Sequence, residues 1–260
     1  MGESKAKIVV FANQKGGVGK TTTALNLSAS LAEKGKKVLL VDTDPQGNAS
    51  SGVGLFKRNG HGHLYSCYMD ENTVNVEDCI HFTGVKNFSI IPSSIDLVGV
   101  EIEFVSEKNR EKKLRNILRP LRDKFDYIFI DCPPSLGLLT INGLTAADSV
   151  LIPIQCEYFA LEGLSQLIET IRKVRKGLNN TLFIEGLLLT MYDRRNRLTH
   201  HIADEIKKHF EKKVYKTVIP RNVRLSESPS HGKTILEYDR GCPGAKAYMD
   251  LGKEFSQRNR

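Results

Sequence analysis

The residues with the clearest potential for chemistry lie in one glycine-rich stretch near the amino terminus. Glycines allow backbone N–H groups to turn inward around phosphate oxygens, which requires positive φ angles and no Cβ atom. Lys20 can then place its ammonium group against the β and γ phosphates, and the Thr21 hydroxyl can ligate an accompanying Mg²⁺ ion. The stretch reads Asn13, Gln14, Lys15, Gly16, Gly17, Val18, Gly19, Lys20, Thr21 and Thr22. We interpret it as a nucleoside triphosphate site.

The stretch departs from the common phosphate-loop pattern, G-x-x-x-x-G-K-[ST], at its first position. Gln14 stands where that pattern has glycine, and an extra lysine, Lys15, precedes the first glycine. A lysine at the start of the loop points away from its own phosphates, so we expect Lys15 to act on the nucleotide of a neighbouring subunit. The alternative is a glycine-rich turn with solvated lysines. It is disfavoured because the strand, the glycines, the lysine and the hydroxyl residues follow one another at the spacing of the phosphate-loop pattern.

Aspartates end two further apolar runs of the chain. Asp42 and Asp44 follow one run, and Asp131 ends another. In a parallel sheet such ends open on the same edge as the glycine loop. We therefore expect Asp42 and Asp44 near the γ-phosphate, where one carboxylate can hold the metal's water shell and the other can orient an attacking water. The alternative is that these aspartates only shape a turn.

Asp131 has the position that fixes magnesium through its water in P-loop enzymes. Pro133 and Pro134 stiffen the chain after it, whereas Gly137 and Gly143 leave the next segment able to move. This combination suits a switch that senses whether the γ-phosphate is present.

Strands and helices must hold these candidate residues at one edge. Short apolar runs predict buried parallel strands, and apolar residues at helical spacing predict helices. We expect an α/β fold of the P-loop NTPase type, with a mostly parallel, twisted sheet flanked by helices on both faces. One predicted helical stripe contains Ile95, Leu97, Val98, Ile102 and Val105. A second predicted helix contains Leu114, Ile117, Leu118 and Leu121. A third, at the carboxyl-terminal end, contains Tyr248, Leu251 and Phe255 and is expected to pack on the sheet.

Length and composition bound the organisation of the chain. Its 260 residues, of which 40% are hydrophobic, can bury a full core, so we expect a single domain over residues 1–260. Five cysteines without a C-x-x-C pair indicate neither a disulfide framework nor a local zinc site. No run has the pattern of a signal peptide or a membrane span. We expect a cytoplasmic protein with reduced thiols.

The net charge of +8 is concentrated in one part of the chain. Residues 172–224 contain 14 of the 38 Lys and Arg residues but 5 of the 30 Asp and Glu residues. Such a concentration suits a polyanionic partner such as DNA, RNA or an acidic membrane, and the alternative is a solvated helix face. The sequence has no helix-turn-helix signature, so phosphate contacts would give sequence-independent, salt-sensitive binding.

Several motifs together resemble those of the ParA/Soj family of chromosome and plasmid partition ATPases, which have a deviant phosphate loop (deviant Walker A) of the MinD/ParA type. The likeness covers nearly the whole chain, and the motifs after the phosphate loop are the more specific ones. The matching segments are residues 15–22, 42–48, 131–135, 153–158, 160–164, 189–191 and 219–227.

The resemblance implies a nucleotide-sandwich homodimer, in which Lys15 reaches the phosphates bound to the other subunit. Asp44 would position the attacking water, and Gly16 would leave room for dimer closure. The implied catalytic residues are Asp44, Lys15 and Lys20. The implied nucleotide-binding residues are Lys15, Gly16, Gly17, Val18, Gly19, Lys20, Thr21 and Thr22, with Pro220 and Asn222 near the adenine.

The resemblance also assigns metal and DNA contacts. Thr21 would bind magnesium directly and Asp131 through a water. Arg195 and Arg224 would belong to a DNA-binding face within residues 172–224. The implied cofactors are therefore ATP and Mg²⁺.

The function implied by the resemblance is a slow ATPase that acts as a switch in DNA segregation. ATP would close the dimer, which would bind double-stranded DNA without sequence preference and so associate with the nucleoid. DNA and a ParB-like centromere-binding partner would stimulate hydrolysis and release the protein. No membrane partner is expected.

Two other functions compete with this interpretation. A membrane-associated regulator of the division site, like MinD, would need an amphipathic carboxyl-terminal helix, whereas the tail from Phe255 to Arg260 carries little apolar surface. A redox ATPase like the nitrogenase iron protein would need cysteines around a cluster at the dimer axis, and Cys132 has a position that looks structural.

Overall fold

The computed structural model describes residues 5–55, 62–69 and 74–260. Seven strands of this part form one sheet in the order β3-β4-β2-β5-β1-β6-β7. Every neighbouring pair is parallel except β3 and β4, which are antiparallel. The strands are β1 Lys7–Phe11, β2 Val38–Asp42, β3 His81–Phe82, β4 Phe88–Ile91, β5 Tyr127–Asp131, β6 Ser149–Gln155 and β7 Phe183–Thr190.

Helices connect the strands and cover the sheet. The α-helices are α1 Lys20–Ala32, α2 Asn48–Gly52, α3 Leu64–Met69, α4 Leu97–Glu103, α5 Lys113–Leu118, α6 Leu138–Ala146, α7 Ala160–Gly177, α8 Arg197–Phe210, α9 Val223–Glu227, α10 Ile235–Tyr238 and α11 Pro243–Arg258. Short 3₁₀ helices lie at Val76–Cys79, Arg110–Lys112, Arg119–Leu121, Glu211–Lys213 and Ser228–His231. No helix in the described ranges combines the length and apolarity that spanning a bilayer requires.

Two hydrophobic cores lie on opposite faces of the sheet. Successive side chains of a strand point to opposite faces, so Ile8 and Val10 enter one core while Val9 and Phe11 enter the other. The first core is closed mainly by α5, α6, α7 and α8, and the second by α1 and α11. The predicted α/β fold, with a mostly parallel sheet between two helical layers, is confirmed.

Helix α4 differs from its prediction. Its buried side chains are Leu97 and Val100, whereas Ile95, Val98 and Ile102 are exposed. Apolar residues occupy two faces of this segment, so periodicity alone could not identify the face that packs. The prediction for the carboxyl-terminal helix is confirmed, since α11 buries Tyr248, Leu251 and Phe255 in the second core.

The central strands bring the candidate residues together. Strand β5 lies between β2 and β1, with Asp131 aligned with Asp42 on one side and with Phe11 on the other. All three residues end their strands at the carboxyl edge of the sheet, where the loop from β1 to α1 also begins. This edge is the place where ligands bind in parallel α/β sheets.

Candidate functional site

Side-chain hydrogen bonds hold the backbone of the loop between β1 and α1, both near its start and near its end. Asn13 donates from Nδ2 to the Pro153 carbonyl at 2.8 Å and accepts from the Lys15 N–H at 3.0 Å. The Thr190 hydroxyl, at the end of β7, donates to the Val18 carbonyl at 2.8 Å. The glycines that follow Gly16 in the motif, at positions 17 and 19, have φ angles of 73° and 83°, which favour glycine. The loop is therefore a pre-shaped cradle of backbone N–H groups at the start of α1, as an anion site requires.

Lys20 opens α1 with its side chain turned back into this cradle. The residue is 6% exposed, and Nζ donates to the Lys15 carbonyl at 3.1 Å. Burial lowers the pKa of Lys20, while the negative charge of Asp131 and, less strongly, that of Asp44 raise it. The ammonium group is thus held beside carboxylates in a place where polyphosphate oxygens could replace the carbonyl as its partner.

Asp131 is fully buried, and no donor among the described residues meets hydrogen-bond geometry at either carboxylate oxygen, although the Thr21 hydroxyl lies near enough to affect its charge. Burial raises the pKa of Asp131 well above its ordinary value, the neighbouring Asp42 charge adds to this, and the Thr21 hydroxyl and Lys20 oppose it. A buried carboxylate without partners is costly unless a cation or its water completes it. Asp131 and Thr21 would therefore hold a hydrated magnesium ion, which would supply positive charge beside bound phosphates.

Asp42 and Asp44 have different environments, although the sequence predicts both at the γ-phosphate. Asp42 is completely buried and accepts from the Ser50 hydroxyl at 2.7 Å, the Ser50 N–H at 2.8 Å and the Asp44 N–H at 3.2 Å. Burial raises the pKa of Asp42 to about 6, against the lowering by these hydrogen bonds. Its carboxylate supports the acidic loop and is not free for water or metal, which leaves Asp44 for the nucleotide.

Asp44 is placed by a turn and by a serine that sequence reasoning missed. Its Oδ1 accepts from the Gln46 N–H at 3.0 Å, and its carbonyl accepts from the Ser93 hydroxyl at 2.5 Å. Ser93 also donates its N–H to the Ser50 hydroxyl at 3.0 Å. The available signal was a serine two residues after the buried strand β4, which lies next to β2 in the sheet. The second oxygen, Oδ2, has no hydrogen-bond partner among the described residues and can orient a water.

The segment after Asp131 is more tightly packed than predicted. Gly143 lies within α6, and a Cβ atom there would be 2.9 Å from the Cys132 sulfur and 3.1 Å from a methyl of Val10. Glycine at this position serves close packing of α6 on the sheet. The expectation that Gly143 leaves the segment mobile is therefore wrong.

The unpartnered carboxylate of Asp131 makes the Asp131→Asn variant informative. Without nucleotide, we expect the free energy of unfolding of the variant to exceed that of the parent by about 1 to 3 kcal/mol at pH 8, because a buried charge is removed. The pKa of Asp131 is higher in the folded protein than in the unfolded chain, where it is near 3.9. The folded parent is therefore destabilised progressively as the pH rises above that unfolded pKa. The stability difference should grow between pH 5 and pH 8 in urea titrations, while Mg²⁺-dependent nucleotide affinity falls.

Asp123→Asn is the matched control for this prediction, because the substitution removes the same charge from an exposed position. We expect its free energy of unfolding to stay close to that of the parent, because substitutions at exposed positions usually change stability little. If Asp131→Asn destabilises the protein equally at pH 5 and pH 8, the carboxylate has a structural partner and does not wait for a cation.

The Lys15 side chain lies outside the cradle that its backbone helps to form, and Gly16 is not required there for steric reasons. The Lys15 ammonium forms an ion pair with Glu157, which follows β6, and each of these side chains is about 40% exposed (39% and 43%). A Cβ atom at Gly16 would come no nearer than 3.7 Å to Pro134, an ordinary contact. Nothing in the described part of the chain therefore requires glycine at position 16, and Lys15 lies at the mouth of the site.

The residues assigned to the adenine lie beside the same edge. The Tyr192 N–H, two residues after β7, donates to the Ile219 carbonyl at 2.9 Å, which brings the segment containing Pro220 alongside. Asn222 caps α9 by accepting from the Arg224 N–H at 2.9 Å. The cap uses only the side-chain oxygen of Asn222, so its NH₂ group could donate to an adenine base. Contact of Asn222 with the adenine stays a prediction.

The basic residues of 172–224 divide between two edges of the sheet. Helix α7 runs from the carboxyl edge toward the amino edge, so Arg175 and Lys176 in its last turn lie far from the nucleotide loop. In the last turn of α8, by contrast, Lys207 lies near Cys156, which follows β6, because burial raises the pKa of that thiol and the charge of Lys207 is near enough to oppose the rise. Arg195 remains near the carboxyl edge, with its side chain 92% exposed and 3.3 Å from Asp193. Arg224 also lies on that side, paired with Glu227 at 2.9 Å and with Asp239 at 3.5 Å.

A further arginine, which sequence reasoning did not single out, belongs to the same area. The pKa of Asp193 is lowered first by the backbone and side chain of Arg195 and then by the charge of Arg221. The Arg221 N–H donates to the Tyr192 carbonyl at 3.4 Å, which places it beside the same loop. Within residues 172–224, the best candidates for the predicted DNA face are therefore Arg195, Arg221 and Arg224, which lie around the loop after β7. DNA binding by these residues stays a prediction.

Comparison with known proteins gives consistent similarities. The chain matches the family model described as an AAA domain over residues 6–184. It is 58% identical over 250 residues to the sporulation initiation inhibitor protein Soj of Bacillus subtilis, covering 96% of this chain and 98% of that protein. It is 50% identical over 253 residues to the chromosome-partitioning ATPase Soj of Treponema pallidum, covering 97% and 98%.

A solved structure shares the arrangement of the elements. Cobyrinic acid a,c-diamide synthase of Mycobacterium smegmatis, with a bound ATP analogue and magnesium, aligns with a TM-score of 0.82 and 34% identity, covering 95% of this chain and 93% of that one. Both Soj proteins are matched over nearly their full length at 50% identity or more. The chain belongs to the ParA/Soj family of partition ATPases.

Proposed function

We propose that this partition ATPase is an ATP-dependent dimerising switch that binds DNA without sequence preference. The observation that carries the proposal is the contrast between the two lysines of one loop. Lys20 is buried in the cradle, whereas Lys15 lies at its mouth with its ammonium outside. A cation at the mouth, beside a glycine that the chain itself does not need, suits a second copy carrying its own triphosphate.

ATP and Mg²⁺ are the cofactors that the residues fit. When bound, they supply the phosphoanhydride bond that is hydrolysed and the charge that neutralises the phosphates. The cradle N–H groups and Lys20 bind the phosphates, Thr21 and Asp131 hold the metal and its water, and Asp44 orients the attacking water. Pro220 and Asn222 are proposed to contact the adenine.

Slow turnover follows from the same geometry. Asp44 keeps one carboxylate oxygen for the attacking water. The cation that would complete the phosphate site, Lys15, comes from another molecule. A site that is incomplete in one chain hydrolyses ATP at a rate set by assembly. We propose that DNA and a ParB-like centromere-binding protein accelerate this step.

DNA binding is proposed for the area around Arg195, Arg221 and Arg224. The described residues there are exposed arginines on a loop and a short helix, which suits phosphate contacts more than reading of base edges. A dimer doubles the number of contacts, so DNA affinity rises steeply when ATP closes it. This coupling would place the protein on the nucleoid in the cytoplasm in its ATP state.

The two rival functions have less support. A MinD-like membrane anchor needs a free apolar helix face, but Tyr248, Leu251 and Phe255 of α11 are buried in the core. A redox cluster needs accessible thiolates, but Cys132 is buried and burial raises its pKa to about 12.

The proposed coupling is tested by titrating duplex DNA with no nucleotide, with ADP and with a non-hydrolysable ATP analogue, each with Mg²⁺. We expect retention in a mobility-shift assay with the analogue, at least about 10-fold weaker retention in the other two states, and the same affinity for unrelated DNA sequences. Equal affinity in all three states would contradict the switch.

Replacing Arg195 and Arg224 together by alanine locates the surface. Charge-assisted contacts contribute about 1.5 to 3 kcal/mol each, part of which the ion pairs of Arg224 offset, so we expect at least about 10-fold weaker DNA binding and a smaller salt slope. ATP affinity should not change. The control is Arg119→Ala with Arg172→Ala, which removes the same charge from exposed positions near the amino edge. If the control weakens DNA binding and the first pair does not, the DNA surface lies at the opposite edge.

A further inference from the structure

Two of the five cysteines lie against each other. The sulfurs of Cys67 in α3 and Cys79 in the 3₁₀ helix Val76–Cys79 are 3.1 Å apart, although the residues are 12 positions apart in the chain. Non-bonded heavy atoms normally pack at about 3.5 to 4.0 Å, and a disulfide bond measures about 2.05 Å. The pair is therefore closer than ordinary packing and about 1 Å from bonding distance. Sequence spacing gave no sign of it, because the residues form no C-x-x-C motif.

The other cysteines provide an internal contrast. Cys132, Cys156 and Cys242 are also buried and free, and none has a sulfur neighbour in the described part of the chain, which includes all five cysteines. The contact between Cys67 and Cys79 thus distinguishes one pair among thiols of similar burial.

The two thiols are chemically unequal. The Cys67 S–H donates to the Cys79 sulfur. This hydrogen bond raises the pKa of Cys67 and lowers the pKa of Cys79, so the Cys79 sulfur carries more thiolate character. A thiolate that faces the sulfur of a second cysteine is the arrangement of a resolving cysteine in thiol–disulfide exchange.

A cavity gives a small molecule a place next to one of the sulfurs. Its volume is about 320 Å³, and Cys67 lines it together with Val76, Asn116 and Ile117. Cys79 is 0% exposed and does not line this cavity. A reagent that reaches the pair through this cavity therefore meets Cys67 first.

We propose that Cys67 and Cys79 form a reversible dithiol–disulfide site, whose oxidant is a low-molecular-weight disulfide such as glutathione disulfide. The Cys67 thiol, which lines the cavity, loses its proton to solvent there and then attacks one sulfur of the oxidant, which forms a mixed disulfide and releases one small thiol. The raised pKa of Cys67 makes this first step the slow one. The Cys79 thiolate then attacks the Cys67 sulfur, which forms the Cys67–Cys79 bond and releases the second small thiol. Two protein thiols are oxidised, one disulfide is reduced, and the two protons end on the two small thiols. The second step is intramolecular, so it outcompetes a second mixed disulfide.

The bond would tie α3 to the 3₁₀ helix beside the first core. Helix α3 is connected to the carboxyl edge, because the Leu64 N–H donates to the Pro92 carbonyl at 2.9 Å, next to the serine that holds the Asp44 carbonyl. The site lies away from the phosphate loop and is independent of the proposed nucleotide switch.

The test is thiol mapping of the folded protein after incubation with glutathione disulfide. Remaining thiols are alkylated in denaturant, and non-reduced peptides are analysed by mass spectrometry. We expect three alkylated cysteines, a cross-linked peptide pair containing Cys67 and Cys79, and recovery of five alkylated cysteines after dithiothreitol. Five free thiols without reduction, or a bond that joins other cysteines, would overturn the proposal.

Single variants test the order of the steps. In Cys79→Ser we expect one stable glutathione adduct on Cys67, because the resolving sulfur is absent. Cys242→Ser is the control, since that side chain caps α11 and serine caps helices well; this variant should still form the Cys67–Cys79 bond. The wild-type mapping decides the proposal even if a buried serine at position 79 impairs folding. An adduct on Cys242 in the wild type, with positions 67 and 79 still free, would assign the reactivity to a different thiol.

Discussion

Lys20→Ala is expected to lower ATP affinity by about 100-fold or more. Removing one partner of a buried, hydrogen-bonded charge pair costs about 2 to 5 kcal/mol, and each 1.4 kcal/mol is a factor of ten. Lys20 is buried, and its Nζ is held by the Lys15 carbonyl among the charges of Asp131 and Asp44. Its loss leaves those carboxylates next to the incoming triphosphate without a cation. Isothermal titration with ATP and Mg²⁺ measures the effect.

Lys37→Ala is the control for this experiment, because Lys37 is exposed and its loss removes the same charge. It should bind ATP like the parent. Thermal unfolding of Lys20→Ala without nucleotide should remain cooperative, because the cradle backbone is held by Asn13 and Thr190. An affinity for ATP within threefold of the parent would show that the phosphates bind elsewhere.

Asp44→Ala is expected to keep ATP bound and to accumulate a dimer, with hydrolysis reduced by about 100-fold or more. A residue that only orients the attacking water contributes little to ground-state binding, so its loss falls on the chemical step. Oδ1 of Asp44 is engaged by the Gln46 N–H, and Oδ2 is left for water. Multi-angle light scattering with ATP and Mg²⁺ should give twice the monomer mass of 29.1 kDa.

The controls for Asp44→Ala separate charge from catalysis. Asp96→Ala removes an exposed carboxylate that follows β4 at the same edge and should hydrolyse ATP like the parent. Asp44→Asn keeps the size and the bond to Gln46 and should also be slow, because the amide NH₂ group that replaces Oδ2 cannot accept a hydrogen bond from the attacking water. An Asp44→Ala protein that stays monomeric with bound, uncleaved ATP would refute the proposed dimer, whereas a hydrolysing dimer would refute the role of Asp44 alone.

The disulfide proposal is separable from these results. Thiol mapping reports on Cys67 and Cys79 whether or not the protein dimerises, because neither residue touches the phosphate loop. Conversely, a failed dimerisation test leaves the sulfur contact unchanged.

Much of the fold was predictable because its signals are local. The apolar runs of β1, β2, β5 and β6 lie almost wholly inside the protein, and central strands of a parallel sheet need apolar residues on both faces. Helix α4 resisted prediction because it is apolar on two faces, and only packing selected Leu97 over Ile102.

The site was predictable where backbone conformation defines it. Glycines with positive φ, followed by lysine and threonine at a helix start, need no distant partner to be recognised. The two aspartates after β2 show where this approach stops: both end the same strand, but Ser50 satisfies Asp42 and not Asp44. A hydrogen bond from the next helix decided which carboxylate remains for the nucleotide.

The sequence by itself determined the phosphate cradle, the parallel sheet that carries it and the family to which the chain belongs, since these depend on residues adjacent in the chain. Only the tertiary structure decided that Lys15 pairs with Glu157, that Asp131 is buried without a hydrogen bond, that the basic segment divides between two edges, and that Cys67 meets Cys79. The physical reason is the same in each case. Side chains far apart in the chain become partners only through strand order and helix packing, and burial then sets the strength of each charge and each contact.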